Sequence, residues 1–292
     1  MTDASSHPSP GWWDLAHTEV YRAWREQVLG EGATDFTPVQ LRDPARLSET
    51  EINTLASRLH ATGAVCYGTD RVLEPRDILA LGEQLGLVHL DHHQCAEPDG
   101  VARLTAREDT AGRFIPYTRH RLRWHTDGYY QPDTQRIRSF ILHCIQPALD
   151  GGVNRLLDPR LLYIALRDED PDLIRVLTHP QTFTVPAHAE NGEERRAEFS
   201  GPVFSSDGEH LYTRYTERAI HIRWHPETEA ARARIQELLE TLPQAKRPLR
   251  LDAGCGLIAH NVLHCRSAYN DSADHPRLLY RTRYTDRAHR PC

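Results

Sequence analysis

The chain has 292 residues, of which 39% are hydrophobic, and a formal net charge of -6 at pH 7. This length supports a large core in one elaborated domain, and the modest charge, without blocks of like charge, argues against a nucleic-acid or other polyanion binder. The first residues lack a cationic start followed by an apolar run, and no apolar stretch reaches about 18 residues, so we expect a soluble, cytoplasmic protein without membrane contact.

The first third of the chain is predicted to be largely helical. Residues 1–45 form an N-terminal arm, and residues 46–95 form a helical layer with the first strand. Ser48 and Glu51 have the spacing of a capping box ahead of apolar residues at helical intervals. The predicted elements are helices over 15–29 and 49–61, a strand over 64–68 and a helix over 74–85.

From residue 96 to 292 the pattern changes to short β-like runs separated by Gly, Pro, Asn and Asp. Ser206-Asp207-Gly208 is a hairpin signal inside one of these runs. Many short strands with helices outside them predict a mainly β, α+β fold whose core is a jelly roll or double-sheet barrel, within a single domain over 1–292. The predicted strands are 138–145, 181–186, 203–215, 257–263 and 278–284, and the predicted helices are 159–166 and 227–241.

Cysteine and lysine usage narrows the chemistry. The six cysteines include no C-x-x-C pair, which argues against a zinc ribbon or redox dithiol, and we expect most to be buried free thiols. Lys246 is the only lysine and lies outside any P-loop pattern, so lysine-based mechanisms are set aside. The cysteines are Cys66, Cys95, Cys144, Cys255, Cys265 and Cys292.

The candidate metal site starts from Trp124-His125-Thr126-Asp127. In a strand or at its end, a two-residue spacing places His125 and Asp127 on one face, able to bind one divalent ion. The H-x-[DE] pattern alone is weak, because 18 histidines and 41 acidic residues predict about 2.5 chance occurrences. The other four occurrences are His17/Glu19, His89/Asp91, His188/Glu190 and His225/Glu227.

Sequence context selects among these pairs. His17/Glu19 lies in a predicted helix, where positions i and i+2 face apart, and His225/Glu227 straddles a predicted helix start. His188/Glu190 lies in a polar loop without aromatic neighbours. The two strongest candidates are therefore His125/Asp127 and His89/Asp91.

A catalytic iron site commonly uses two histidines and one carboxylate on one face. The strand-like segment 257–269 offers two histidines for the third position, His260 and His264, and the residues alone leave that choice open.

Three arginines alternate along the last predicted strand, so that Arg277, Arg281 and Arg283 share one face. Arginines inside a barrel are costly unless they meet anions. This face therefore predicts binding of a carboxylate-bearing molecule or of internal acids.

In motif order, W-H-T-D, Gly151-Gly152-Val153-Asn154, V-L-H-C-R-S-A-Y and R-x-x-x-R resemble the taurine dioxygenase family of iron(II)/2-oxoglutarate oxygenases, over roughly Ala64 to Tyr284. The resemblance implies a double-stranded β-helix, cupin-like fold with Fe(II), 2-oxoglutarate as co-substrate, and O2. It implies a dioxygenase that hydroxylates a C–H bond of a small polar or anionic substrate and releases succinate and CO2.

The resemblance also implies the metal ligands, which are His125, Asp127 and His264. Because the family commonly has Asp-Asn where this chain has His260-Asn261, His260 stays a rival for the third position.

For the co-substrate, Arg281 matches the arginine that holds the distal carboxylate of 2-oxoglutarate, and Arg277 matches a second arginine near its other carboxylate. Asn154 stands where the family often carries Thr, and its amide can also hydrogen-bond a carboxylate. The expected substrate contacts are His89, Tyr129 and Tyr130.

Two other functions stay open from the sequence, a zinc hydrolase with the same His/Asp/His ligands and a non-catalytic metal-binding jelly roll. A carboxylate at Asp127 leaves no vacant ligand position for chloride, which argues against a halogenase. Neither the small-molecule substrate nor a homo-oligomeric state can be identified from the residues.

Overall fold

The computed structural model describes residues 11–32, 35–91, 97–107, 115–190, 193–218 and 222–290. The α-helices are α1 (Thr18–Gly30), α2 (Glu49–Thr62), α3 (Pro75–Glu83), α4 (Pro159–Glu169), α5 (Pro171–Leu177) and α6 (Glu229–Thr241). Short 3-10 turns cover Ile115–Tyr117, Asp133–Gln135, Pro226–Thr228 and Gln244–Lys246.

The strands are β1 (Val39–Leu41), β2 (Ala64–Thr69), β3 (Ala102–Leu104), β4 (Leu122–His125), β5 (Ser139–Gln146), β6 (Asp150–Gly151), β7 (Asn154–Leu157), β8 (Phe183–Val185), β9 (His188–Glu190), β10 (Glu193–Arg196), β11 (Phe199–Gly201), β12 (Phe204–Ser206), β13 (Leu211–Thr213), β14 (Arg223–Trp224), β15 (Pro248–Leu249), β16 (Cys255–Ala259), β17 (Leu263–Arg266), β18 (Tyr269–Asn270) and β19 (Leu278–Tyr284).

Two sheets carry the fold. The larger has the strand order β1-β2-β16-β5-β19-β3, and the smaller has the order β15-β7-β17-β4. All their strand pairs are antiparallel except β1 with β2. A three-stranded sheet, β11-β8-β14, and three two-stranded ribbons complete the described β-structure.

The two main sheets share one apolar interior, in which Phe140 and Leu142 of the larger sheet pack with Leu156 of the smaller. Helices α2 and α3 cover the outer face of the larger sheet, and α1, α4, α5 and α6 cover that of the smaller. The prediction of sheets inside and helices outside is confirmed for the described residues.

Most of the predicted elements are confirmed. Helix α2 begins with the predicted capping box between Ser48 and Glu51 and ends at Gly63, which has φ 72°. The predicted hairpin is the β12–β13 pair.

One predicted strand is wrong. The run 257–263 covers parts of two strands, β16 in the larger sheet and β17 in the smaller, because the chain passes from one sheet to the other over residues 260–262. Asn261 has φ 46°, a left-handed conformation that asparagine tolerates better than most residues.

Four of the predicted free thiols lie in the described residues, and none of the four is in a disulfide: Cys66, Cys144, Cys255 and Cys265. Cys95 and Cys292 lie outside the described residues. No helix within the described ranges has the length and apolar character needed to cross a bilayer.

A buried histidine in the larger sheet makes stability depend on pH. His143 is fully buried, its Nε2 accepts from the Leu73 N–H (3.1 Å) and its Nδ1 faces the Tyr67 hydroxyl (3.1 Å). Burial lowers the pKa of His143 to about 4. Because the unfolded chain takes up this proton near pH 6.5, the stabilisation is complete above that pH and is lost as the pH falls towards 4.

We expect the free energy of unfolding to fall by about 2 kcal/mol between pH 7 and pH 5, because only the unfolded chain binds a proton at His143 in this range. Urea denaturation at both pH values checks it, with His143→Gln as the matched variant because an amide has no proton to gain here. Equal losses in the wild type and His143→Gln would contradict the prediction.

Candidate active site

The smaller sheet and the loop that follows β4 bring together a histidine, a carboxylate and a second histidine. His125 ends β4 and pairs directly across from His264 on β17, while Asp127 lies two residues beyond the end of β4. One ligand atom from each of the three lies within 4.8 Å of the others. Among the described residues this is the only group of three or more such side chains able to hold a metal ion.

Backbone hydrogen bonds orient both imidazoles. Nδ1 of His125 contacts the Arg123 carbonyl oxygen, and Nδ1 of His264 contacts the Val262 carbonyl oxygen, each at 2.9 Å. A carbonyl only accepts, so each Nδ1 carries the hydrogen and each Nε2 keeps its lone pair. Nε2 of His125 is turned towards Asp127, 3.8 Å from its Oδ1.

Burial keeps these histidines neutral. It lowers the pKa of His125 to about 3, with the neighbouring His264 adding to the effect, and it also lowers the pKa of His264. Neutral imidazoles are the form that binds a metal.

Asp127 is 5% exposed, and its Oδ2 is buried without a hydrogen-bond partner. Burial alone raises the pKa of a carboxyl, but the charges of Arg281 and Arg283 outweigh it and hold the pKa of Asp127 below its usual range. With an unpaired carboxylate oxygen and two free imidazole lone pairs, the donor set fits a two-histidine, one-carboxylate iron site.

Asn261 holds the carboxylate loop in place, a role that the sequence did not reveal. Its Oδ1 accepts from the Asp127 N–H (2.7 Å), and its Nδ2 donates to the carbonyls of Asp127 (2.9 Å) and Ile137 (2.8 Å). The only available signal was the adjacent H-N pair ahead of His264. The turn that separates β16 from β17 thus also positions a ligand supplied by β4.

We expect Asn261→Ala to weaken Fe(II) binding by about 10- to 100-fold, as is typical when the partners that orient ligands are removed. Anaerobic Fe(II) titration measures the effect. Asn270→Ala, at an exposed position on β18, is the matched control. An unchanged Fe(II) affinity in a folded Asn261→Ala protein would contradict this role.

His260 lies elsewhere. Its Nε2 contacts the Ala288 carbonyl oxygen at 2.9 Å, and it is not part of the three-residue group. The structure therefore brings His264, and not His260, to His125 and Asp127.

The two predicted co-substrate arginines have different neighbours. Arg281 donates from Nη1 to Asp127 Oδ1 at 3.2 Å. Arg277 stacks on the Tyr269 ring at 4.8 Å, and its Nη1 is buried without a partner. Arg277 and Asn154 line one small cavity with Pro147, Ala148, Gly151, Gly152, Arg250, Leu251 and Leu279.

Arg266 adds a second cation near Arg277. Burial lowers the pKa of Arg266 to about 10, and the charge of Arg277 contributes to this. Two buried cations with one unpaired donor indicate a place for an anion.

The three predicted substrate contacts lie in two different environments. The His89 side chain is 75% exposed and its Nδ1 contacts Asp286 Oδ1 at 2.8 Å, whereas Asp91 pairs with Arg283. His89 and Asp91 therefore do not form a metal site together. Tyr129 and Tyr130 contact one another edge to face, with ring centroids 5.3 Å apart, and pack against Phe183 and Val185.

Comparisons with known proteins bear on this site. The family model described as "Taurine catabolism dioxygenase TauD, TfdA family" matches residues 27–283. A uridine-5'-phosphate dioxygenase from Streptomyces sp is 31% identical over 233 residues, covering 74% of this chain and 81% of that protein. Another protein of that name from Amycolatopsis sp is 30% identical over 175 residues, covering 56% and 60%.

Solved structures share the fold. The non-heme iron oxygenase OrfP, in complex with Fe and alpha-ketoglutaric acid, gives a TM-score of 0.60 at 17% identity, with 83% of this chain and 82% of that chain covered. Asparagine oxygenase, in complex with Fe(II), 2S,3S-3-hydroxyasparagine and succinate, gives 0.57 at 15% identity, with 97% and 92% covered.

Proposed function

This chain belongs to the taurine catabolism dioxygenase TauD, TfdA family, and we propose that it hydroxylates a C–H bond of a small phosphorylated substrate and releases succinate and CO2. It is a 2-oxoglutarate-dependent dioxygenase, with Fe(II) as its cofactor and with 2-oxoglutarate and O2 as co-substrates. Family membership decides against the zinc hydrolase and the non-catalytic jelly roll that the sequence left open.

The observation that carries the proposal is the buried triad of His125, Asp127 and His264. These residues would hold Fe(II) on one face. The bound iron would supply the activation of O2, coupled to decarboxylation of 2-oxoglutarate. The protein itself holds both imidazoles in the ligating tautomer and keeps the carboxylate ionised beside Arg281. Burial of the site limits access of bulk water to the reacting atoms.

We assign the two co-substrate arginines in the reverse of the order taken from the resemblance. 2-Oxoglutarate chelates a metal through one carboxylate and its oxo group, so its other carboxylate must lie away from the ligands. Arg281 already contacts Asp127 and therefore belongs to the metal end. Arg277, with its unpaired Nη1 beside Asn154, suits the distal carboxylate.

The substrate class rests on the relatives named uridine-5'-phosphate dioxygenase, the first of which is matched over 81% of its length. We therefore propose a nucleoside 5'-monophosphate as the primary substrate.

We also infer that the two main sheets form the predicted jelly roll and that residues 1–292 make one domain, since both sheets contribute to a single interior.

The test is succinate release by purified protein supplied with Fe(II), ascorbate and 2-oxoglutarate, with and without uridine 5'-monophosphate. We expect the nucleotide to stimulate succinate formation and to be oxidised in equal amount. Succinate formation that no nucleotide stimulates would refute the substrate class, and absence of 2-oxoglutarate turnover under all conditions would refute the activity.

A further inference from the structure

Several arginine nitrogens in and around the candidate active site have no hydrogen-bond partner. In the described residues, buried arginine nitrogens without a hydrogen-bond partner occur on Arg196, Arg277, Arg281 and Arg283. Arg277 and Arg281 are accounted for by the co-substrate and the metal end. Arg196 and Arg283 are not, and both lie near the Tyr129–Tyr130 pair.

Arg283 lies beside the metal site, on the side of Arg281 away from Arg277. It follows Arg281 by two residues on β19, so the two share a face of the sheet. Its cross-strand partner is Phe140, whose ring centroid lies 5.0 Å from that of His264. In chain order, Arg277 lies just before β19, Arg281 contacts Asp127 of the metal site, and Arg283 follows two residues later on β19.

Arg283 is 3% exposed and only partly paired. Its Nη1 donates to the Tyr130 hydroxyl at 3.1 Å and its Nη2 donates to Asp91, while Nε has no partner. The other carboxylate oxygen of Asp91 accepts from Gln131 Nε2 at 2.8 Å. Asp91 thus shares its charge between two donors, and Arg283 keeps a donor for a further anion.

Arg196 approaches the tyrosines from β10. Its Nη2 donates to the Pro186 carbonyl at 3.1 Å, its Nε is buried without a partner, and its guanidinium lies near Tyr129 and Tyr130. Among the described residues, no carboxylate forms an ion pair with Arg196, so an anion bound here would supply the missing counter-charge.

We propose that Arg283 and Arg196 form the subsite for the phosphate of the primary substrate, with Tyr129 and Tyr130 packing against its nucleoside portion. The inference rests on the proposed function and names the residues that bind the phosphate. Two guanidinium groups suit a dianionic phosphate, because each keeps an Nε–H without a partner that can donate to the phosphate oxygens. Asp91 is the counter-ion that Arg283 keeps when no phosphate is bound.

The test compares uridine 5'-monophosphate with uridine, which differ only in the phosphate. Each is titrated calorimetrically into the anaerobic enzyme loaded with Fe(II) and 2-oxoglutarate, and the measured quantity is the ratio of the two Kd values. For the wild type we expect the monophosphate to bind at least about 100-fold more tightly.

Arg283→Gln should reduce that ratio by about 30-fold or more, and Arg196→Gln by about 10-fold. Arg138→Gln removes the same charge from an exposed position and should leave the ratio unchanged. Arg196→Gln also covers the case in which Arg283→Gln fails to fold after losing its pair with Asp91.

The subsite is overturned if the wild type binds both ligands equally, or if neither variant lowers the ratio. A parallel succinate assay separates this failure from failure of the proposed function. Succinate formation that uridine 5'-monophosphate stimulates, together with a Kd ratio near one, would refute the subsite alone. If no succinate forms with any substrate, the proposed function is refuted, and the Kd ratio still tests the subsite independently.

Discussion

Replacing Asp127 with alanine is expected to reduce Fe(II) affinity by at least about 100-fold and to abolish succinate formation. Loss of a residue that merely orients a ligand typically costs 10- to 100-fold, roughly, so loss of the carboxylate ligand itself should cost more. Asp127 is also the only anion within hydrogen-bond distance of the Arg281 guanidinium in the described residues.

The same substitution should destabilise the metal-free protein, because it leaves the charge of Arg281 buried and unpaired. Breaking a buried ion pair in this way typically costs about 3–5 kcal/mol. Asp127→Asn keeps the side-chain volume and isolates the contribution of the charge.

Anaerobic Fe(II) titration, a succinate assay and urea denaturation measure the three effects of the alanine variant. Asp150→Ala, at an exposed acidic position on β6, is the matched control and should behave as the wild type. Normal turnover by Asp127→Ala would refute the assignment of the metal site.

Replacing Arg277 with leucine is expected to raise the KM for 2-oxoglutarate by about 100-fold, because one partner of a buried charge pair is removed. The free protein should be little destabilised or even stabilised, since the Arg277 guanidinium forms no ion pair with a carboxylate in the described residues and lies next to the like charge of Arg266. A loss of co-substrate binding without a loss of stability is the mark of a ligand-binding arginine.

Arg281→Leu provides the matched comparison from the same strand face. If Arg281 belongs to the metal end, its removal should affect Fe(II) binding more than the KM for 2-oxoglutarate, and Arg277→Leu should do the opposite. The reverse pattern would restore the assignment that the sequence resemblance suggested.

Local spacing in the sequence was sufficient for several features. His125 and Asp127 could be grouped because a separation of two residues at a strand end places side chains on one side. The capping box at Ser48 and Glu51 likewise predicted the start of α2, because both hydrogen bonds form within one turn.

Only the tertiary structure decided which distant residues meet. His264 meets His125 because the register of β17 against β4 pairs these residues, which are 139 positions apart. His260 lies in the connection between β16 and β17 and contacts Ala288 instead. The order of Arg277, Arg281 and Arg283 relative to the metal depends in the same way on how β19 lies in the larger sheet.

The physical reason is the range over which each interaction acts. Alternation and capping depend on neighbours within a few residues, so the sequence by itself predicted the grouping of His125 with Asp127, the start of α2 and the row of arginines. Which arginine faces the metal, which the co-substrate and which the substrate depends on the packing of two sheets across a shared interior, and only the folded chain determines that.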